Sequence, residues 1–374
     1  MGEHAKLSAS ASHRWMECTP CVELEASFPE ANSVYADEGS AAHALSEYKL
    51  KRLLKIKSGK KPVSQYDSQE LEDYTDQYVT FACECIAEAR ARTKDAVILI
   101  EQRVDFSRFV PEGFGTADLV IVADGIMDIC DLKYGRGVPV SAEHNPQMQL
   151  YALGAYGLFE EIYEIERVRM TIFQPRLDNV STYEMTVDEL MSWAENELKP
   201  KAEMASRGEG EFKPGEHCRF CRAKAVCRAR AKANLELAKY DFADPELLSD
   251  EEMGEILAKA EQLQAWVSDL WEYAQAEAIA GRKKWPGFKV VAGRSNRRYS
   301  DEEKAAEVLL VNGYTEKQIF NKKLLGIGDM EKLTGKKRFE ELLKDYIEKP
   351  AGKPALVSET DKRQEWNRAA ADFD

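Results

Sequence analysis

Leu71, Tyr74, Tyr78, Phe81 and Cys85 follow one another at steps of three, four, three and four. That spacing lines one face of an α-helix and makes Cys85 a core position, with Cys83 at the edge of the same stripe. A shorter helical pattern covers 41–54. Past Ala96 the texture changes: 96–106, 114–122 and 126–134 are short and β-branched, and Ala123-Asp124-Gly125 between the last two reads as a hairpin turn. Asn145-Pro146 opens a helix reaching Glu160, with proline tolerated in a first turn. Two more strand-like runs, 167–175 and 181–186, precede Thr186 and Glu189, whose capping-box spacing starts a helix over 187–204. Helices around a central group of strands predict an α/β or α+β domain over 1–235.

The region 240–374 reads as mainly helical. Met253, Ile256, Leu257, Ala260, Leu263, Val267, Leu270 and Ala274 mark a long amphipathic helix. A basic, two-stranded stretch is expected over 281–299, then a helix capped by Ser300 with Glu303 and a charged helix over 329–348. After Lys349 the chain carries Pro350, Gly352 and Pro354 and is expected to be extended. There is no internal repeat.

Composition narrows the class. Among 374 residues, 44% are hydrophobic, which suffices for a real core. No apolar run is long enough for a membrane helix, and the first thirty residues lack the apolar segment of a secretory signal. The expected setting is therefore the cytoplasm, with no membrane partner. A net charge of −14 speaks against a simple basic nucleic-acid binder, but the charge is uneven. Seven basic and no acidic residues fall in 281–298, and seven basic residues against Glu216 alone fall in 212–232. Trp285, Phe288 and Tyr299 interleave with the first group. Such a ribbon suits single-stranded nucleic acid, and packing against acidic helices of the same chain accounts for it equally well.

The chemistry concentrates in two places. In the first, Asp118 opens one strand of the expected hairpin, and Asp131 and Lys133 stand near the end of the next, two apart and so on one face. Two carboxylates beside a carbonyl make a hard oxygen site for Mg²⁺ or Mn²⁺, and a lysine there can orient a water or offset phosphate charge. Asp-x-Lys by itself is commonly a surface ion pair. Gln147 and Tyr151 share a face of the following helix, and His43 lies on an early helix.

Together these residues resemble the RecB-like branch of the PD-(D/E)XK nucleases: a helical histidine, a Gly-x-x-Asp strand, an Asp-x-Lys strand and Gln-x-x-x-Tyr on a helix. The 13-residue interval from Asp118 to Asp131 also suits that family. The resemblance implies a restriction-endonuclease-type core, a central mixed sheet flanked by helices. It implies that His43, Asp118, Asp131 and the Leu132 carbonyl hold Mg²⁺ or Mn²⁺, that Lys133 is catalytic, and that Gln147 and Tyr151 steady the site and the strand. Glu101 is a weaker candidate, with salt bridging its expected role.

In the second place, Cys218, Cys221 and Cys227 form Cys-x₂-Cys-x₅-Cys, and Cys18 or Cys21 can supply a fourth thiolate if the N-terminus folds back. This arrangement resembles that of AddB-type nucleases and CRISPR-associated adaptation relatives, which implies a [4Fe–4S] cluster on Cys18, Cys218, Cys221 and Cys227. A structural Zn²⁺, using four cysteines or three with His217, is the rival. Arg219, Arg222, Lys224 and Arg228 around the cysteines can meet phosphates. The whole chain also resembles an uncharacterised family common in phages and prophages. The expected function is that of a metal-dependent DNA nuclease, an exonuclease on ends or single strands in phage recombination or replication. Its expected partners are DNA and a phage single-strand-binding or annealing protein. The alternatives are a non-catalytic DNA-binding recombination accessory protein keeping the fold, and a restriction-type endonuclease.

Overall fold

The structure, a computed structural model, describes residues 5–29, 34–236, 249–291, 300–320 and 324–347. In chain order the helices are α1 (Ser12–Trp15), α2 (Cys21–Ala26), α3 (Val34–Leu53), α4 (Gln69–Arg92), α5 (Pro146–Phe159), α6 (Val187–Trp193), α7 (Lys199–Arg207), α8 (Arg228–Leu235) and α9 (Asp250–Ile279). Further on come α10 (Glu302–Val311), α11 (Glu316–Ile319), α12 (Ile327–Thr334) and α13 (Lys336–Leu343). The strands are β1 (Val97–Asp105), β2 (Phe114–Ala123), β3 (Ile126–Leu132), β4 (Arg167–Gln174) and β5 (Asn179–Thr186).

These strands form one five-stranded sheet in the order β1-β2-β3-β4-β5, parallel between β3 and β4 and antiparallel elsewhere. Asp124 and Gly125 both take left-handed φ, 50° and 75°, which is the two-residue turn whose twist matches a hairpin. The parallel step from β3 to β4 needs a crossover, and α5 supplies it. The Asn145 side chain caps α5 by accepting from the amides of Gln147 and Met148, with Pro146 in the first turn. Gly154 lets this helix lie close on β1, since a Cβ there would stand 2.8 Å from that of Val104.

Alternate residues of β2 face two layers. Val120 and Val122 pack with Ile129, Met148 and Leu150 toward α5, whereas Leu119, Ile121 and Ala123 pack with Val79, Ala82, Ile86 and Cys130 toward α4. Both faces of the central strands are therefore dry, and each fully buried aliphatic side chain contributes about 1.5–3 kcal/mol. The result is an α/β fold with a mixed sheet flanked by helices. Thr186 and Glu189 close the expected capping box, and the helix they start runs through a π-helical turn at Ala194–Leu198 into α7.

By internal contacts the chain divides into Met1–Lys283 and Lys284–Asp374, later than the 235–240 junction expected. The reason is α9: its Asp269 pairs with Lys224 at 2.7 Å and with the buried Arg230 at 2.6 Å, tying it to the first unit. In the second unit the described residues are helical and irregular. Asp301, not Ser300, caps α10, because its carboxylate accepts from the Lys304 amide. The helix expected over 329–348 is broken at Gly335, whose φ of 78° separates α12 from α13. The two-stranded ribbon expected over 281–299 is absent from its described part, 281–291, which is irregular; 292–299 and the tail from 348 lie outside the described residues. Among the described residues no helix is long and apolar enough to cross a membrane.

Candidate active site

The β1–β2 ladder pairs Ile100 with Leu119 and Gln102 with Ala117, and skips Glu101, whose φ is +51°. A side chain other than glycine in that conformation is strained, and such strain gathers at functional sites. Here it interrupts the ladder opposite Asp118. The β2–β3 pairing ends at Leu119 with Cys130, so one further step sets Asp118 across from Asp131. The ladder's next donor, the Leu132 amide, goes instead to the Asp118 carboxylate at 2.7 Å. Strand register thus places Glu101, Asp118 and Asp131 in one row across three strands.

From α3, His43 reaches the same row, its Nδ1 3.2 Å from Asp118 Oδ1 and 4.0 Å from Glu101 Oε1. Donor atoms of His43, Glu101 and Asp118 all lie within 4.8 Å of one another, a group able to hold a metal ion. The membership differs in part from the expected set. Glu101 joins the histidine and Asp118, whereas Asp131 stands aside in an ion pair, Lys133 Nζ lying 2.9 Å from its Oδ2. Asp131 is buried, and the Lys133 ammonium is the neighbour that faces its Oδ2. Leu132 contributes its amide to Asp118, and its side chain is fully buried.

Electrostatics follow from this crowding. Burial opposes charge on His43, yet Asp118, Asp131 and Glu101 outweigh it and raise its pKa to about 9. Burial first, then Asp118, raises Glu101 to about 7, and the same two causes act on Asp131, raising it against the pull of Lys133. Carboxylates packed this closely favour a cation among them.

The cavity beside His43 is also lined by Ser46, Leu50, Tyr78 and Ile100. The Ser46 and Tyr78 hydroxyls are buried and lack hydrogen-bond partners among the described residues. Sequence reading missed both, since Tyr78 belongs to the apolar stripe of α4 and its hydroxyl carries no periodicity signal. Gln147 Nε2 donates to Tyr151 Oη at 3.1 Å, as the shared helix face predicts. Gly115 makes room for that ring, because a Cβ would meet Tyr151 Cε1 at 2.8 Å.

The cysteines meet elsewhere. Cys18, Cys21, Cys218, Cys221 and Cys227 line one cavity, with His217, Arg14, Lys224 and Arg230. All five are free, and among the described residues no three of their sulfurs come within 4.8 Å. The N-terminus is fastened there by polar contacts of its own. The buried Glu25 accepts from Arg14 Nε at 3.1 Å and from the Arg222 amide at 2.7 Å, while Arg14 also donates to the Phe220 carbonyl at 3.1 Å. Hydrogen bonds from Cys21 and His217 hold the Cys18 thiol well below its usual range, and His217 does the same for Cys218 against burial. Cys21 is pushed up by Cys18, burial and Glu25, and Cys221 is raised to about 12 by burial and Glu25.

Among solved structures, one titled "Crystal structure of SSO0001" is similar over 58% of this chain and 96% of its own, at 14% identity and a TM-score of 0.22. The family described as "Protein of unknown function (DUF2800)" matches residues 4–364. Sheet, carboxylate row and cysteine cavity all fall within that match, and the chain belongs to the DUF2800 family.

Proposed function

We propose that the chain is a divalent-metal-dependent DNA nuclease with a RecB-like core, acting as an exonuclease on ends or single strands in phage recombination or replication. The observation that carries this reading is the row of Glu101, Asp118 and Asp131 on adjacent strands, closed by His43 and Lys133. The donor set fits Mg²⁺ or Mn²⁺: oxygen ligands dominate, and one imidazole is present. The chemistry supplied by a bound ion is polarisation of a phosphoryl oxygen and acidification of a water.

The protein's own groups do the rest. His43, Glu101 and Asp118 would hold the ion, and Asp131 would complete its shell. The Asp118–Leu132 amide bond fixes β2 against β3, so that carboxylate cannot swing away. Lys133, held over Asp131, offsets negative charge on the scissile phosphate and orients the attacking water. Tyr151, oriented by Gln147, backs the row from α5.

The cysteine cavity is read as the seat of a structural [4Fe–4S] cluster on Cys18, Cys218, Cys221 and Cys227, with Zn²⁺ as the rival. The resemblance of the cysteine arrangement favours Cys18 over Cys21 as the fourth ligand.

The test is anaerobic purification followed by incubation with end-labelled linear DNA, with and without Mn²⁺. Cleavage that needs the ion, brown colour, and iron and sulfide near four per chain are expected. DNA binding without cleavage would replace the nuclease with the accessory protein, and stoichiometric zinc without iron would replace the cluster.

A further inference from the structure

Residues 49–61 carry seven basic and no acidic residues in a chain of net charge −14. They form the last turn of α3 and the loop toward α4. Lys49 and Lys61 are spoken for, both pairing with Glu72, and Lys51 pairs with Glu47 at 2.5 Å. Arg52 lies 5.9 Å over the Tyr48 ring. Lys55, Lys57 and Lys60 are exposed and make no ion pair among the described residues. The helix dipole accounts for Lys51 and Arg52 at a C-terminus. It does not account for Lys57 and Lys60, which lie beyond the helix. Nor does chain economy explain Lys55, a residue other than glycine at φ 58°, where Ile56 N closes back on the Lys51 carbonyl at 2.8 Å. That closure is the usual task of glycine.

Helix α3 runs from the candidate site to this patch. His43, Ser46, Glu47 and Leu50 of α3 line the cavity, and the Lys51 charge reaches Glu101.

From this placement we infer that the exposed cations Lys55, Lys57 and Lys60 form a backbone-binding track for the nucleic-acid strand whose scissile phosphate sits at His43, Glu101 and Asp118. The inference deepens the nuclease reading and rests on it. A polyanion is the fitting occupant because these cations, which make no ion pair among the described residues, follow the helix that carries a metal-binding histidine. Exposed Ile56 between them offers apolar contact to sugars or bases.

The experiment uses the full chain, Ca²⁺ in place of Mn²⁺ to hold back cleavage, and fluorescence anisotropy of a labelled single-stranded oligonucleotide across a salt series. In Lys55→Glu/Lys57→Glu/Lys60→Glu the log–log salt slope should fall by about 0.7 for each phosphate that is no longer neutralised, so by about 2. Mn²⁺ binding measured by calorimetry should stay unchanged. Should the threefold reversal fail to fold, Lys55→Gln/Lys57→Gln/Lys60→Gln removes charge without reversing it and should lower the slope by the same amount. An unchanged slope in a folded variant, with wild type binding and cutting DNA, overturns the track and leaves the nuclease standing. Wild type that neither binds nor cuts overturns both. Variant-sensitive binding to anionic phosphatidylserine vesicles, with oligonucleotide binding unaffected, overturns the track in favour of a membrane surface.

Discussion

The carboxylate row and the cysteine cavity are built by different means. Glu101, Asp118, Asp131 and Lys133 come from three consecutive strands, so local register aligns them and only His43 arrives from farther away. The cysteine cavity joins residues 18–21 to 218–227, and nothing local brings those segments together. A site laid out by a sheet tolerates the loss of one side chain without losing its shape. A site made by chain closure depends on whatever holds the closure, here the contacts of Glu25 and Arg14.

Asp131→Asn puts this contrast to its severest test, because it keeps volume and removes the charge. Cleavage of end-labelled DNA should fall about a thousandfold with the thermal melt nearly unmoved. More than a tenth of wild-type activity would remove Asp131 from the reaction. On the other side, Glu25→Ala takes the carboxylate from the half-buried Arg14 and strips an acceptor from the Arg222 amide. Removing one member of a buried pair costs about 3–5 kcal/mol, read in urea unfolding monitored by circular dichroism. Loss of the colour expected for the cluster should accompany it. Native stability in that variant would mean the closure is held elsewhere.

Gly115→Ala probes the boundary between packing and chemistry. The added methyl would press on Tyr151 Cε1, and overpacking of this kind costs about 1–3 kcal/mol. A fall in cleavage beyond that explained by unfolded protein is expected; equal specific activity per folded molecule would release Tyr151 from the site.

A weaker signal lies in the pH dependence of chelated protein. His43 at about 9 and Glu101 at about 7 both lie above their unfolded values of 6.5 and 4.5. A raised pKa stabilises fully below the unfolded value, and that contribution is lost as pH rises through the folded one. Stability should therefore decline from about pH 5 to 9, by about 1–2 kcal/mol after solvent screening. His43→Gln should flatten the upper part of the curve. Saturating Mn²⁺ should reverse the slope, since ligands bind the ion deprotonated. A flat chelated profile would contradict the charge arrangement described.

Much of the sheet was legible because its signals are local. Asp-Gly between two β-branched runs specifies a hairpin, Asn145-Pro146 a helix start, and Thr186 with Glu189 a capping box. The shared face of Gln147 and Tyr151 needed only helical periodicity. The helix over 329–348 misled because charged residues favour helix on both sides of Gly335, and one left-handed residue divides it. Asp301 took the cap from Ser300 because either side chain suits that position and sequence spacing cannot choose between neighbours.

What the sequence determined by itself is whatever propensity and period encode over a few residues: the strands, the helices, the turn between β2 and β3, and the residue types suited to metal and phosphate. The tertiary structure alone decided that Glu101 stands with His43 and Asp118 while Asp131 stands with Lys133. It alone bound α9 to the first unit through Asp269 and brought Cys18 round to Cys218. Those choices depend on distances between segments far apart in the chain, set by the packing of α3 and α5 on the sheet and by buried ion pairs. A one-dimensional pattern carries no record of such distances.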